Sequence, residues 1–249
     1  KINFNNETYF FKQTDFNTFE YEFSQLKSSV NFNISANDIT SKEHRIDVIK
    51  VPSILNFELD LKYPKHTFKK NEVISNSGSV TVPEGTIINW KLSTKTTDKI
   101  EFITKDTSVN FTKYDTDFKF KQQFFRTTKY QIATHNSNVN NYEKLQYAIE
   151  TIQDEYPEIH VQSKADTLNS QVIYFLGKLS DDYGLRQLQL KYKKSTDSEY
   201  SYQSIPISNS NFHQFTYQFP GNIALEKGVA YNYYFEVSDN DALHNFKTS

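Results

Sequence analysis

Apolar and polar residues alternate along most of this chain, which is the pattern of strands with one buried face. In 54-ILNFELDL-61, every second residue from Leu55 to Leu61 is apolar and falls on one face. Aromatic and β-branched residues, which favour strands, fill most such positions. The pattern therefore predicts an all-β chain. Further alternating segments are 86-TIINWKL-92, 117-DFKFKQQF-124 and 230-AYNYYFEV-237.

One segment near the N-terminus is ambiguous. The apolar spacing from Phe16 to Leu26 fits a helical face. Phe19, Tyr21 and Phe23 also alternate, as residues of a strand do. Internal similarity favours the strand, because a Phe-rich strand, an irregular gap and a second strand ending near acids or proline recur three times. The three pairs are 16-FNTFEYEF-23 with 43-EHRIDVIKVPSI-54, 118-FKFKQQFF-125 with 145-LQYAIETIQDEYPEI-159, and 212-FHQFTYQF-219 with 230-AYNYYFEVSDND-241.

Two prolines set the length of the repeat. Pro52 and Pro157 are 157 − 52 = 105 residues apart, which is the size of one immunoglobulin-like sandwich of about 100 residues. We therefore predict tandem immunoglobulin-like or fibronectin type III-like β-sandwiches, joined by short, Pro-marked linkers into a semi-rigid rod. The predicted units are a partial sandwich (its C-terminal half) in 1–51, an immunoglobulin-like sandwich in 52–156, and an immunoglobulin- or fibronectin-like sandwich in 157–249 that stops near its expected last strand.

Two local features are typical of such sandwiches. Trp90, the only tryptophan, lies centrally on an alternating strand, and a core Trp on the third strand is a hallmark of immunoglobulin domains. A buried aromatic on any other strand explains it equally well. The stretch 225-LEKGVAY-231 resembles the approach to a tyrosine corner, in which the hydroxyl of Tyr231 would bond back to upstream backbone. Lys227 stands where Pro is common, so this match is partial.

Composition excludes several function classes. The net charge is −2, the pI is about 6.3 and no long basic run occurs, so nothing predicts binding to nucleic acid or to an anionic membrane. No apolar run approaches the roughly 20 residues of a membrane helix. The absence of cysteine excludes disulfides, thiol catalysis and Cys-ligated metals. The chain starts at Lys1 and contains no Met, so we expect it to be a piece of a longer protein.

Catalytic motifs are missing. None of the six histidines is spaced i, i+2 or i, i+4 from another, and GxSxG, HExxH, P-loop and GxGxxG patterns do not occur. We therefore predict no enzyme and no resident cofactor. Any catalytic region would lie outside this chain.

Acid clusters at predicted strand ends are the best site candidates. Calcium binds six to eight hard oxygens, and acids at sandwich junctions could supply them. Ordinary turn chemistry explains the same residues, because Asp and Asn bond their own backbone and tolerate left-handed geometry. In 178-KLSDDYGLRQLQLKY-192, a turn at Gly184 between two strands is the stronger interpretation. The calcium candidates are Asp154, Asp181, Asp182, Asp239 and Asp241.

Five stretches of the chain form a recognisable combination: 51-VPSILNFELDLKYPKHT-67, 78-GSVTVPEGTIINWKL-92, 154-DEYPEIHV-161, 175-FLGKLSDDYGLRQLQLKY-192 and 234-YFEVSDNDALHNFKTS-249. Together they resemble a family of large envelope proteins of Bacteroidota that is known only as a domain of unknown function. The resemblance covers about residues 40–249, and His66-Thr67-Phe68 stands where Tyr-Thr-Gly is usual. It implies an N-terminal membrane anchor, an extracytoplasmic array of sandwiches and a long helical or coiled C-terminal region, with no activity to carry across.

These observations lead to one expected function and one alternative. We expect a non-enzymatic spacer or protein-interaction segment of a membrane-anchored, periplasmic or cell-surface envelope protein. Its partners would be other envelope proteins, bound by addition of a strand to a sandwich edge. The alternative is an adhesin-like or carbohydrate-binding accessory segment with calcium at its domain junctions.

Overall fold

Strands make up nearly all of the regular structure. The computed structural model describes residues 1–169 and 171–249, which contain 23 strands, two 3-10 turns and no α-helix. The all-β prediction is confirmed. Within the described residues, no helix has the length and apolar character needed to cross a membrane.

The first unit is a single small sheet with a separate hairpin. The sheet order is β2-β1-β5-β6, with β7 also on β5, and β3 pairs with β4. One face carries the buried Ile2 and Val30, and the other is lined by hydrogen-bonded Asn and Ser side chains. Its strands are β1 (Ile2–Phe4), β2 (Glu7–Tyr9), β3 (Lys12–Asp15), β4 (Thr18–Glu20), β5 (Val30–Ala36), β6 (Ile39–Thr40) and β7 (His44–Ile46).

The predicted continuous strand over 16–23 is wrong. Only Thr18–Glu20 is a strand, and it forms the returning arm of a short hairpin whose tip leaves Phe16 85% exposed. Tyr21 and Phe23 leave the ladder and pack over the sheet instead, edge-on and tilted, with ring centroids 5.9 and 5.1 Å from Phe4. Contact with the apolar face outweighs strand alternation here, because no second sheet among the described residues covers that face.

The middle unit is a sandwich of two five-stranded sheets. One sheet has the order β14-β15-β11-β8-β9, and the other has the order β10-β17-β16-β12-β13 with β10 parallel to β17. A 3-10 turn at Lys65–Thr67 follows β8. The strands are β8 (Ser53–Lys62), β9 (Glu72–Ser75), β10 (Val80–Pro83), β11 (Thr86–Lys95), β12 (Lys99–Ile103), β13 (Ser108–Asn110), β14 (Thr112–Tyr114), β15 (Asp117–Phe124), β16 (Thr128–His135) and β17 (Lys144–Ile152).

Trp90 lies at the centre of this core and is fully buried. Its Nε1 donates to the Tyr130 hydroxyl at 3.2 Å, and that hydroxyl donates to the Gly78 carbonyl at 2.7 Å. Trp90 lies on β11, between β8 and β15. The third-strand position of an immunoglobulin sandwich corresponds instead to β12, which crosses to the other sheet and places Phe102 against Trp90 at 5.3 Å. Of the two interpretations that the sequence left open for Trp90, the structure therefore shows a buried aromatic on another strand.

One residue of the first alternating segment departs from its predicted face. The pairing of β8 with β11 skips Leu55 at a register shift, and Leu55 is 66% exposed. A bulge inserts one extra residue and turns it away from the ladder. Phe57, Leu59 and Leu61, beyond the bulge, are buried as expected.

The third unit is a smaller sandwich in which sheet β18-β19-β22 faces sheet β21-β20-β23. The Tyr231 hydroxyl accepts from the Glu226 backbone N–H at 3.1 Å, so the predicted tyrosine-corner bond is present. After the last strand, Ser238 forms an isolated bridge with Thr248, and a 3-10 turn covers Ala242–His244. The strands are β18 (Glu158–Ala165), β19 (Ile173–Ser180), β20 (Leu185–Lys194), β21 (Ser201–Ile205), β22 (Phe212–Phe219) and β23 (Tyr231–Asp239).

The structure corrects one half of the proposed repeat. The first half of the repeat agrees with the structure. Pro52 and Pro157 each precede the first strand of a sandwich, and β15 and β22 each pair with an inner strand of their sheet, β11 and β19. The second members of the pairs do not correspond, because β17 pairs with the parallel strand β10 whereas β23 pairs with β20. The strand of the middle unit that is equivalent to β23 is β16, because β16 pairs with β12 as β23 pairs with β20. The two sandwiches have separate buried cores. The core of the middle unit lies within residues 54–149, and the core of the third unit lies within residues 159–237. The exact boundaries of the units stay a prediction.

Candidate functional site

The five candidate acids lie at the end of the third sandwich that faces the middle one. Asp154 follows β17 in the connection to β18, and Asp181 and Asp182 form the turn between β19 and β20. Asp239 ends β23, and Asp241 is the N-cap of the next 3-10 turn, where its side chain accepts from the Leu243 N–H. Asp154, Asp239 and Asp241 are buried, whereas Asp182 is exposed.

The turn at residues 181–184 is fixed by its own side chain. Asp181 Oδ2 accepts from the backbone N–H groups of Tyr183 at 3.0 Å and Gly184 at 2.6 Å, as in an Asx turn. Gly184 has φ +144°, a conformation that few other residues adopt. The turn is also tied to the end of β23, because the Asn240 N–H donates to the Gly184 carbonyl at 3.0 Å and the Asn240 side chain donates to the Tyr183 carbonyl at 3.2 Å.

The same loops reach across to the middle sandwich. The Asn240 side chain also donates to the His66 carbonyl at 3.2 Å, and His66 Nδ1 lies 3.2 Å from Asp241 Oδ1. Lys247 Nζ donates to both the carbonyl oxygen and Oδ2 of Asp154, each at 2.6 Å. The C-terminal segment of the third unit, through Asn240, Asp241 and Lys247, thus contacts two segments of the middle unit. We call this region the junction: His66, Glu84, Asp154, Asp181–Gly184 and Asp239–Lys247.

Glu84 completes a compact charged group in the junction. Its Oε1 accepts from the Asp154 N–H at 3.1 Å and lies 3.7 Å from Lys247 Nζ. Ligand atoms of Glu84, Asp154, Asp241 and His244 all lie within 4.8 Å of one another. His244 Nδ1 is 2.5 Å from Asp241 Oδ2. The three carboxylates of this quartet therefore share the positive charge of Lys247 and the imidazole ring of His244.

Burial and mutual repulsion change the acidity of these carboxyls. Although Asp182 is exposed to solvent on one side, partial desolvation of its carboxyl by the surrounding loops, followed by the charges of Asp154 and Asp181, raises its pKa to about 6. Burial raises the pKa of Asp239 to about 6 as well, with the charges of Asp154, Asp181 and Asp241 adding to it. Among the described residues, the compact group of possible metal ligands contains two of the five candidates, Asp154 and Asp241, and does not include Asp181, Asp182 or Asp239.

Two acids are affected by nearby cations. Burial raises the pKa of Asp154 despite its hydrogen bond from Lys247. For Asp241, burial acts in the same direction but the hydrogen bonds from His244 and Leu243 outweigh it, so its pKa is lowered. The pKa of Lys247 is raised, because its contact with Asp154 outweighs the effect of burial.

Sequence reasoning missed His66, Glu84, His244 and Lys247. His66 and Glu84 come from segments that carried no acid cluster, and they meet the predicted acids Asp241 and Asp154 only through contacts across 175 and 70 residues. For Glu84 there was one local signal. Glu84 directly precedes a glycine, Gly85, and glycine favours turns. In the structure Gly85 has a positive φ of +79° and lies in the turn after β10.

The surface does not supply the tryptophan that a sugar-binding platform would use. Trp90 is enclosed in the middle core and cannot stack on a ligand in solvent. Exposed tyrosines occur in two units, and two of them in the third unit, Tyr200 and Tyr234, have ring centroids 5.1 Å apart. The carbohydrate alternative therefore keeps exposed tyrosines but no exposed tryptophan.

Comparison with known proteins gives distant likenesses only. No protein-family model matches the chain, and no curated protein matches it either. A chicken TCR crystal structure is similar over 59% of this chain and 89% of its own, at 10% identity and a TM-score of 0.26. A chimeric titin Z1Z2-Z1Z2 tandem is similar over 69% of this chain and 91% of its own, at 12% identity and a TM-score of 0.23. The sandwich assignment rests on the strand pairing above, and not on these likenesses.

Proposed function

We propose that this chain is a non-enzymatic structural and protein-interaction segment whose middle and third sandwiches are held at a fixed angle. The observation that carries the proposal is the junction, in which buried polar groups of one sandwich are satisfied by the other. A flexible linker between independent domains would leave such groups to water. Here, separating the sandwiches would expose or orphan several of them at once.

Three contacts of different kinds support a fixed angle. Asn240 bridges both sandwiches by hydrogen bonds to the His66 and Tyr183 carbonyls. The Lys247 side chain is only 8% exposed and is paired with Asp154. Leu243 packs so closely on Gly85 that a Cβ built on the glycine would lie 2.3 Å from it. Directional bonds combined with close packing select one orientation.

The connection between the first and middle units is of another kind. Thr96 Oγ1 donates to the Val51 carbonyl, and the Asn136 side chain donates to the Lys50 carbonyl at 2.8 Å. These bonds hold the linker itself and not the face of the first sheet. We therefore expect the second junction to be stiffer than the first.

Free strand edges support a role in protein interaction. In the part of the chain that the structure describes, β18 and β22 end their sheet and have no strand on their outer side. Each has eight residues, long enough for an added strand to pair with. We propose proteins of the cell envelope as partners and a membrane-anchored, extracytoplasmic location, on the resemblance described above. Protease accessibility of the full-length protein in intact cells tests the location, and complete protection in cells with a permeabilised outer membrane would count against it.

Distance measurements between spin labels test the fixed angle directly. The chain contains no cysteine, so cysteines placed at the exposed Lys121 and Ser201 label only the two sandwiches. We expect one narrow distance distribution by double electron–electron resonance. The double substitution Asn240→Ala with Lys247→Met should broaden it.

A matched control separates the junction from general loss of stability. Asn89→Ala with Lys91→Met removes a hydrogen bond to the Asp60 carbonyl and a surface ion pair, both within the middle sandwich. This control should leave the distribution narrow. A broad distribution in the otherwise unchanged chain would refute the proposed function.

A further inference from the structure

Lys247 and Asp154 form the most deeply buried lysine–carboxylate pair among the residues that the structure describes. Their side chains are 8% and 1% exposed, and Lys247 Nζ lies 2.6 Å from Asp154 Oδ2. In the ion pairs that other lysines of the described residues make, the lysine side chain is at least 27% exposed. A buried ion pair adds little net stability, because both charges lose their hydration. This pair therefore requires an explanation other than stability.

Backbone contacts fix the place where the two side chains meet. The Lys247 carbonyl accepts from the Asp239 N–H at 3.0 Å. Ser249 likewise donates its N–H to the Val237 carbonyl at 3.0 Å, so these last residues lie paired with the end of β23. Lys247 Nζ donates to the carbonyl oxygen of Asp154 as well as to its carboxylate, each at 2.6 Å. The amine is thus held against one residue by two bonds, and the carboxyl carbon Cγ lies one covalent bond beyond Oδ2.

A third buried group, Glu84, faces the pair. It is 6% exposed, and its Oε1 accepts from the Asp154 N–H at 3.1 Å and lies 3.7 Å from Lys247 Nζ. Its own backbone N–H donates to the Ile152 carbonyl at 2.8 Å, which ties Glu84 to the end of β17. A carboxylate in this position can accept a proton from the amine and pass it to an oxygen of the neighbouring carboxyl. The three side chains therefore combine a nucleophile, an electrophile and a proton carrier.

Burial favours the uncharged forms of both reacting groups. It raises the pKa of Asp154, and by itself it would lower the pKa of Lys247. The contact with charged Asp154, together with two neighbouring carboxylates, outweighs burial at Lys247 and keeps its pKa raised. Transfer of one proton from the amine to Asp154 removes the largest of these opposing effects. It leaves a neutral amine, which is the nucleophilic form, beside a carboxylic acid.

We propose that Lys247 and Asp154 join in an intramolecular isopeptide bond whose formation is assisted by Glu84. The ion pair described above is the unreacted state. The Nζ lone pair attacks Asp154 Cγ, so that a C–N bond forms and a C–O bond breaks. Glu84 takes one proton from the nitrogen and delivers it to the departing hydroxyl, which leaves as water. An ammonium and a carboxylate thus become a neutral amide and one water molecule, with no oxidant or co-reactant. Reactants held together in this way reach effective concentrations of about 10⁵–10⁸ M.

The bond removes a cost that the ion pair leaves in place. Asp154 Oδ1 is buried and has no donor among the described residues, and a buried acceptor without a partner is costly. Amide formation removes one carboxylate oxygen and both charges. It also closes a covalent ring around the third sandwich, because Asp154 precedes β18 and Lys247 follows β23. The proposal deepens the proposed function and rests on it, since Glu84 comes from the middle sandwich.

Mass spectrometry of the purified, denatured full chain tests the bond. We expect a mass lower than that of the sequence by one water molecule. A tryptic digest should contain a branched peptide that joins 145–164 to 228–249, because trypsin does not cleave at the linked Lys247. Lys247→Arg keeps the positive charge but not the primary amine, and should show the full mass. The matched control Lys91→Arg, at the surface pair with Asp60, should still lose water.

The role of Glu84 has a test of its own. Glu84→Gln keeps an oxygen that can accept from the Asp154 N–H but cannot take a proton from the amine. We expect most of this variant to have the full mass, with circular dichroism confirming that it is folded. Complete bond formation in Glu84→Gln would overturn the role assigned to this residue.

Three results would overturn the isopeptide bond. The first is the full mass in an unchanged chain that circular dichroism shows to be folded. The second is a loss of water confined to peptide 145–164, which would mark cyclisation of an acid within that peptide. The third is a loss of water that persists in Lys247→Arg. The spin-label experiment separates this proposal from the proposed function. A narrow distribution in a chain of full mass keeps the fixed angle and removes the bond, whereas a broad distribution in a bonded chain removes the fixed angle and keeps the bond.

Discussion

Replacing Lys247 by methionine is the sharpest test of how the junction is held. Lys247 Nζ lies 2.6 Å from both the carbonyl oxygen and Oδ2 of Asp154, and the two side chains are 8% and 1% exposed. Methionine keeps much of the aliphatic volume but removes the charge. The Asp154 carboxylate then stays buried with no lysine beside it, and the nearby Glu84 loses the same cation.

The size of the effect follows from the burial of both partners. Removing one member of a buried ion pair costs about 3–5 kcal/mol, because the other charge is left uncompensated. We therefore expect Lys247→Met to lower the free energy of unfolding by about that amount. The double variant Lys247→Met with Asp154→Asn should recover about 0.5–3 kcal/mol of the loss, which is the coupling typical of groups in one network.

Urea unfolding in EDTA measures these values. Trp90 fluorescence reports the middle sandwich, because the chain has one tryptophan, and circular dichroism reports both sandwiches. The matched control is Lys91→Met, which removes a pair with Asp60 at 3.7 Å from a side chain that is 48% exposed. Such surface pairs contribute about 0–1 kcal/mol. If Lys247→Met cost no more than Lys91→Met, the interpretation of the junction as a buried, coupled network would be wrong.

Three further predictions concern the core, the close contact and pH. Trp90→Ala should lower the free energy of unfolding by about 3–5 kcal/mol, as loss of a fully buried aromatic does, and a change below about 0.5 kcal/mol would place it at the surface. Gly85→Ala should broaden the spin-label distances, because φ is +79° there and a Cβ would overlap the leucine of the last 3-10 turn; an unchanged distribution would contradict the packing. The hydrogen bond from Lys99, aided by His135, lowers the pKa of Glu101 below 4.5. The charged Glu101 therefore stabilises the fold above pH 4.5, and this effect is lost as the pH falls through the folded pKa. The free energy of unfolding of the unchanged chain should exceed that of Glu101→Gln by about 1 kcal/mol at most, and this difference should narrow in urea titrations between pH 7 and pH 3. A difference that stays constant with pH would refute the assignment.

The sequence predicted the strands wherever burial on one face decides the structure. The alternating segments around Phe57, Trp90 and Phe118 are strands with those residues in the core. Prediction failed where another force competes with alternation. At Leu55 a bulge shifts the register, and at Tyr21 an uncovered aromatic face draws the chain out of its ladder. Neither event has a local sequence signal.

The candidate site was predictable in part, for a physical reason. The turn at Asp181 and the cap at Asp241 are local, since each side chain bonds backbone within three residues. Their convergence on Glu84 and Lys247 is not local. It depends on how two sandwiches meet, and partners 93 residues apart, such as Asp154 and Lys247, leave no periodic pattern to detect.

The choice between a turn and a site at 178-KLSDDYGLRQLQLKY-192 is not exclusive. Asp181 needs only Oδ2 to make its turn, and Oδ1 is buried without a donor. A residue required only for the turn could be Asn or Ser, both of which cap backbone N–H groups without a second anionic oxygen. Buried charge is expensive and adds little to stability by itself, but it does select one arrangement over others when every partner must be in place. The density of acids at this contact is therefore better explained by a requirement for one defined angle between the sandwiches than by turn formation alone.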